Sequence, residues 1–215
     1  MSGATAGRRT LVKVCGLTRL EDARAALEAG ADWLGFVVLG ESPRGVDPGV
    51  AGEIVAALPG ATAVAVMVAP DPDQALRLAE RAGAGRVQLH RVDPAAWPAD
   101  FPLPVIAAVP VGGDGRLGSP LPPEPALVLL DTAHPARAGG TGEGFPWQAA
   151  AALAARREVM LAGGLSPDNV ERAIEQVRPF GVDAASRLER APGLKDHDLV
   201  RRFVAAVRRA DAVRA

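Results

Sequence analysis

Leu11-Val12-Lys13-Val14-Cys15, then the alanine- and charge-rich stretch Leu20–Ala29, then Trp33–Val38, set the pattern that decides the fold. The first run is short and β-type and stops at Gly16, as a strand does. The second has helical length, with Thr18 as its expected N-cap and Gly30 as its stop. The third is β-type again. The same unit recurs down the chain. Pro48–Leu58 follows as a helix, then Ala63–Val68 with Pro72–Ala82, and Arg86–Leu89 with Pro94–Asp100. Val105–Val109 is a fifth strand, and the Gly- and Pro-rich segment Gly112–Pro125 leaves its helix short or missing. Ala126–Leu130 with Trp147–Arg156, Val159–Ala162 with Pro167–Val177, and Gly181–Ala184 with Asp196–Ala210 complete eight units.

Strands alternating with helices imply a parallel sheet. Their near-continuous apolar character implies that both sheet faces are covered. An open doubly wound sheet fits that pattern too, but eight consecutive units favour closure. The expected fold is α/β, a single (β/α)8 barrel spanning residues 1–215, with Met1 to Arg9 flexible. Nothing in the composition splits the chain into two domains.

The 215 residues are 48% hydrophobic and carry a formal net charge of -1. That length buries a full core, and the charge offers no basic excess for nucleic acid or an anionic membrane. No apolar run reads as a transmembrane helix or a signal peptide. A lone cysteine, Cys15, excludes an internal disulfide and fits a reducing cytoplasm. The histidines lack partners at metal-ligand spacing, and neither a dinucleotide fingerprint nor a Walker loop is present, so no metal and no cofactor are expected.

In such barrels chemistry sits where strands end and the following loops begin. Cys15 ends the first strand, where its thiol faces the mouth, and positive charge nearby would lower its pKa and make it a base. A lone cysteine is also commonly a small buried hydrophobe. Asp131 follows the apolar run Leu127 to Leu130, as a turn cap or as a carboxyl with a raised pKa, fit to act as an acid. Arg44, in a Ser-Pro-Arg turn, is a surface arginine or a bidentate carboxylate clamp. Gly163 and Gly164, after the seventh strand, suit a phosphate seat, because backbone N–H groups approach an oxyanion there without a Cβ in the way. Asp183, Ser186 and Arg187 end the eighth unit, with Ser186 a hydroxyl donor and Arg187 a positive charge. His90 ends the fourth strand and reads more readily as a core histidine than as a substrate contact.

Taken in order, several segments resemble phosphoribosylanthranilate isomerase of tryptophan biosynthesis. They are Lys13-Val14-Cys15-Gly16-Leu17-Thr18, Ser42-Pro43-Arg44, Val87-Gln88-Leu89-His90, Leu130-Asp131-Thr132, Gly139-Gly140-Thr141-Gly142, Leu161-Ala162-Gly163-Gly164-Leu165, Gly181-Val182-Asp183 and Ala191-Pro192-Gly193-Leu194-Lys195-Asp196. Each is weak alone, and the ordered set is specific. The resemblance implies a cofactor-free Amadori rearrangement of a small phosphoribosyl substrate by an aldose–ketose isomerase, acting as a monomer or homodimer. Cys15 corresponds to the general base and Asp131 to the general acid. Arg44 corresponds to the holder of the anthranilate carboxylate, and the glycines and polar groups of the seventh and eighth loops to the phosphate site, with Gly140 and Thr141 also at the substrate. Three departures stand out: Ser186-Arg187 where the family usually has Ser-Gly, Phe145-Pro146-Trp147 where it often has Phe-Asp-Trp, and Arg91 where Gly is common. A non-catalytic or differently specific phosphosugar-binding barrel is the alternative reading.

Overall fold

In the computed structural model, described for residues 9–94, 96–132 and 145–214, eight strands run in the order of the sequence and close, β8 pairing back on β1. They are β1 (Leu11–Cys15), β2 (Trp33–Leu39), β3 (Thr62–Val68), β4 (Arg86–His90), β5 (Val105–Val111), β6 (Leu127–Thr132), β7 (Val159–Leu161) and β8 (Gly181–Ala184). The helices are α1 (Leu20–Glu28), α2 (Pro48–Ala56), α3 (Pro72–Arg81), α4 (Trp147–Ala154), α5 (Val170–Val177) and α6 (His197–Arg214). All eight barrel pairings are parallel, with Lys13 beside both Trp33 and Asp183 in register.

Strand periodicity divides the core into two layers. Val12, Val14, Leu34, Phe36, Val128 and Leu130 point outward and pack with the helices. Cys15, Trp33, Val64, Val66, Ile106, Leu129 and Met160 point inward and fill the barrel. Its lower end is closed by Trp33, whose ring meets Phe180 at 6.3 Å and lies under the Arg86 guanidinium at 4.6 Å. The same alternation places Lys13, Gln88, Asp131 and Asp183 on the inner face, so the polar residues gather at one end of a filled barrel.

Two local expectations fail. Residues 94–100 form turns, not a helix, among the described residues. Pro98 would remove an intrahelical hydrogen bond and turns Trp97 away from helical backbone; Trp97 instead meets the Phe101 ring edge-on at 5.2 Å. Thr18 does not cap α1. Arg19 occupies the N-cap without a side-chain bond, and Thr18 Oγ1 donates to the Gly193 carbonyl at 2.7 Å. The stretch after β5 carries no helix, in line with its Gly and Pro content. An addition follows β8: a 3-10 turn (Ser186–Leu188) and an antiparallel pair, β9 (Glu189–Ala191) and β10 (Leu194–Lys195).

Candidate active site

A cleft of about 340 Å³ opens over the C-terminal ends of the strands. Cys15, Arg44, Asp131, Gly163, Gly164, Asp183, Ser186 and Arg187 all line it, from five loops or strand ends of one chain. Gly140 and Thr141 lie outside the described residues, as does His134. Asp183 lies inside β8, not after it, and faces inward.

Below the cleft, Lys13 is fully buried and its Nζ donates to Asp183 Oδ1 at 3.0 Å. Burial works against the ammonium, but the charge and hydrogen bond of the Asp183 carboxylate raise the Lys13 pKa, so the lysine stays charged. Cys15 sits one inward position above. Burial pushes its thiol up, and the Lys13 charge offsets only part of that. The thiol at rest is therefore protonated, contrary to the lowered pKa expected from nearby positive charge, because desolvation wins inside the barrel. Gly35 makes this crowding feasible: a Cβ there would lie 2.9 Å from Cys15 Sγ and 3.0 Å from Lys13 Nζ.

Across the mouth, Asp131 is raised to about 6, first by burial and then by the Asp183 charge, against the Thr132 N–H that donates to its Oδ1 at 2.8 Å. Gly163 (φ +86) passes so close that a Cβ would meet Thr132 Oγ1 at 2.3 Å. This glycine thus clears space for the Asp131 turn as well as presenting backbone to the cleft. Gly164 has φ +82, and Asn169 pins its loop by donating to the Gly164 carbonyl at 3.1 Å and accepting from Ser166 N–H at 2.8 Å.

Two further cleft residues were underweighted in the sequence. The Gln88 amide N–H donates to His90 Nε2 at 2.9 Å, which requires a neutral ring. His90 is lowered to about 4 by burial and by the Lys13 and Arg91 charges, so it stays neutral near pH 7. Gln88 Oε1 and Thr132 Oγ1 are buried without a hydrogen-bond partner in the protein, and both belong to this cleft. Their signal in the sequence was the two-residue spacing, which puts Gln88 and His90 on one face and Lys13 on the face of Cys15. His197 instead pairs with buried Asp22 at 2.7 Å, away from the cleft. Among the described residues, no three His, Cys, Asp or Glu side chains converge as a metal ion needs.

The departures from the family pattern have local explanations. Arg91 holds φ +54, a left-handed conformation that glycine adopts freely. Arg187 is not among the described residues of positive φ and sits in the 3-10 turn, so no glycine is demanded there. Pro146 is the N-cap of α4 and offers no side-chain bond, whereas an aspartate there would cap the helix.

Fold and cleft together define a (β/α)8 barrel with a thiol and a carboxyl group flanking one pocket at its mouth. Residues 12–206 match the family model for N-(5'phosphoribosyl)anthranilate (PRA) isomerase, and the chain belongs to that family. An N-(5'-phosphoribosyl)anthranilate isomerase from Rubrobacter xylanophilus is 44% identical over 92% of this chain and 98% of its own length. The crystal structure of phosphoribosyl anthranilate isomerase from Thermus thermophilus superposes with a TM-score of 0.78 at 37% identity, covering 93% of this chain and 99% of that one. A phosphoribosyl anthranilate isomerase solved with reduced 1-(o-carboxyphenylamino)-1-deoxyribulose 5-phosphate gives a TM-score of 0.74 at 32% identity, covering 93% and 98%. Among the described residues, no helix is long and apolar enough to cross a membrane.

Proposed function

We propose that this chain converts N-(5-phosphoribosyl)anthranilate to 1-(2-carboxyphenylamino)-1-deoxyribulose 5-phosphate in L-tryptophan biosynthesis, in the cytoplasm and without a cofactor. The observation that carries the reading is the meeting of Cys15 and Asp131 in one cleft, with Asp131 at about 6 and still partly protonated near neutral pH. A solved relative holding a reduced form of that product supports the substrate class.

Asp131 donates its proton to the ribose ring oxygen as the C1–O bond breaks, and the nitrogen lone pair forms the C1=N bond of a protonated Schiff base. The Cys15 thiol gives its proton to the carboxylate that Asp131 has become, and the thiolate takes the proton from C2, those electrons neutralising the iminium nitrogen to give an enolamine. A proton gained at C1 and the C2 hydroxyl proton lost to solvent then yield the ketone. The raised thiol pKa fits this order: the iminium cation brings positive charge beside the sulfur, and with Lys13 it favours the thiolate when the base is needed. Arg44 takes the anthranilate carboxylate as a bidentate pair. Gly163, Gly164, Ser186 and Arg187 take the phosphate, and Asp183 holds Lys13 while facing the sugar. Each of these groups belongs to one barrel, so a monomer or a homodimer serves the chemistry equally.

The test is turnover of freshly made phosphoribosylanthranilate, followed by the loss of its fluorescence. Wild type converts it, and Cys15→Ser loses about a hundredfold or more. Saturable binding of the reduced product with no turnover would replace this reading with that of a binding protein.

A further inference from the structure

Arg44 does not reach the cleft unsupported. Its Nε donates to Glu189 Oε1 and Oε2 at 2.9 and 3.1 Å, and its Nη2 donates to Oε2 at 2.8 Å. The Glu189 side chain is 4% exposed. Its Oε1 also accepts from Lys195 Nζ at 2.7 Å, and that lysine side chain is fully buried, with a second bond to the Ala185 carbonyl at 3.2 Å. One buried carboxylate thus serves two cations, brought together from the loop after β2 and from the β9–β10 hairpin. Burial pushes the Glu189 carboxyl up, but the hydrogen bonds from Arg44 and Lys195 outweigh it and hold the group below the ordinary glutamate value.

A guanidinium offers two edges that match a carboxylate. Glu189 occupies the Nε–Nη2 edge. The Nη1–Nη2 edge is left for a second carboxylate, and Arg44 lines the cleft. Gly16 (φ +72) forms the floor under the arginine stem, since a Cβ there would come within 2.7 Å of Arg44 Cδ. Two cations and one carboxylate leave one net positive charge, so a ligand anion is attracted despite the nearby Glu189. A free arginine loses rotamer freedom when it binds; here that freedom is removed beforehand.

We infer that Glu189, anchored by Lys195, is a positioning residue that fixes the Arg44 fork with its outer edge toward the cleft and so sets the selectivity for a substrate bearing a carboxylate. The inference rests on the reading that Arg44 receives the anthranilate carboxylate.

The test measures Kd by calorimetry for two ligands: the reduced product, and its phenylamino counterpart lacking the carboxylate. Wild type prefers the carboxylate ligand. Glu189→Gln is expected to lose about tenfold of that preference, with the carboxylate-free ligand bound as before, KM raised and kcat changed by less than about threefold. Lys195 loses its counter-ion in that variant. Should Glu189→Gln fail to fold, Glu189→Gln with Lys195→Met, which removes the orphaned cation, carries the same expectation. If wild type shows no preference between the ligands, the assignment of Arg44 fails and the inference with it. If wild type prefers the carboxylate, Arg44→Ala abolishes the preference, and the folded Glu189 variants retain it, the assignment of Arg44 stands and the positioning role is overturned.

Discussion

Asp131→Asn is expected to do two opposite things: to stop the enzyme and to stabilise the fold. The carboxyl lies in the barrel mouth with its pKa raised from 3.8 to about 6, by burial and by the Asp183 charge. A carboxyl whose folded pKa is above its unfolded one binds more protons in the folded state. Folding stability therefore falls as pH rises from about 4 to about 6, and the whole cost is present above that window. Two pKa units correspond to about 3 kcal/mol; solvent at the mouth reduces this to about 2 kcal/mol. Asparagine keeps the shape and still accepts from the Thr132 N–H, so removal of the charge is the main change. For a chain of this length, 2 kcal/mol moves Tm by roughly 4–8 °C. Thermal unfolding followed by circular dichroism should show that gain near pH 7.5, most of it gone near pH 4 and all of it gone below about pH 3, where both states of the wild type are protonated. Turnover of the variant should fall by about a hundredfold or more, and the wild-type decline in kcat/KM above about pH 6 should vanish with it. Equal Tm values for variant and wild type at both pH values would refute the buried-charge argument, and a variant of full activity would refute the acid role.

Lys13→Met removes the fully buried ammonium that faces Asp183 at 3.0 Å. It leaves that carboxylate unpaired inside the barrel, and denaturant unfolding should show a loss of about 3–5 kcal/mol. The Cys15 thiol, deprived of its nearest cation, should titrate higher still, as alkylation rate against pH would show. Arg91→Gly relieves a left-handed residue at φ +54. Denaturant unfolding should show a gain of about 1 kcal/mol, and an unchanged or lowered stability would mean that the arginine side chain contributes more than its backbone costs.

The strand–helix order and the meeting of Cys15 and Asp131 at one mouth were legible in the sequence, because both depend on local pattern. Apolar runs of strand length, bounded by glycine and proline, gave eight units, and the observed strands lie within two residues of them. Cys15 and Asp131 were visible because each ends such a run, where a barrel places its chemistry. Where local pattern was thin, reading failed: residues 94–100 had the length of a helix, but Pro98 in their midst forbids one. What only the tertiary structure decided concerns charge. Glu189 meets Arg44 from 145 residues away, and Lys13 meets Asp183 from 170. No spacing in a single chain reports such a pairing. The direction of the Cys15 shift was likewise hidden, since an adjacent lysine argues for a lower pKa and complete burial argues for a higher one. Periodicity is a property of neighbours along the chain. Desolvation and Coulomb energy depend on distance and burial in space, and those exist only once the barrel has closed.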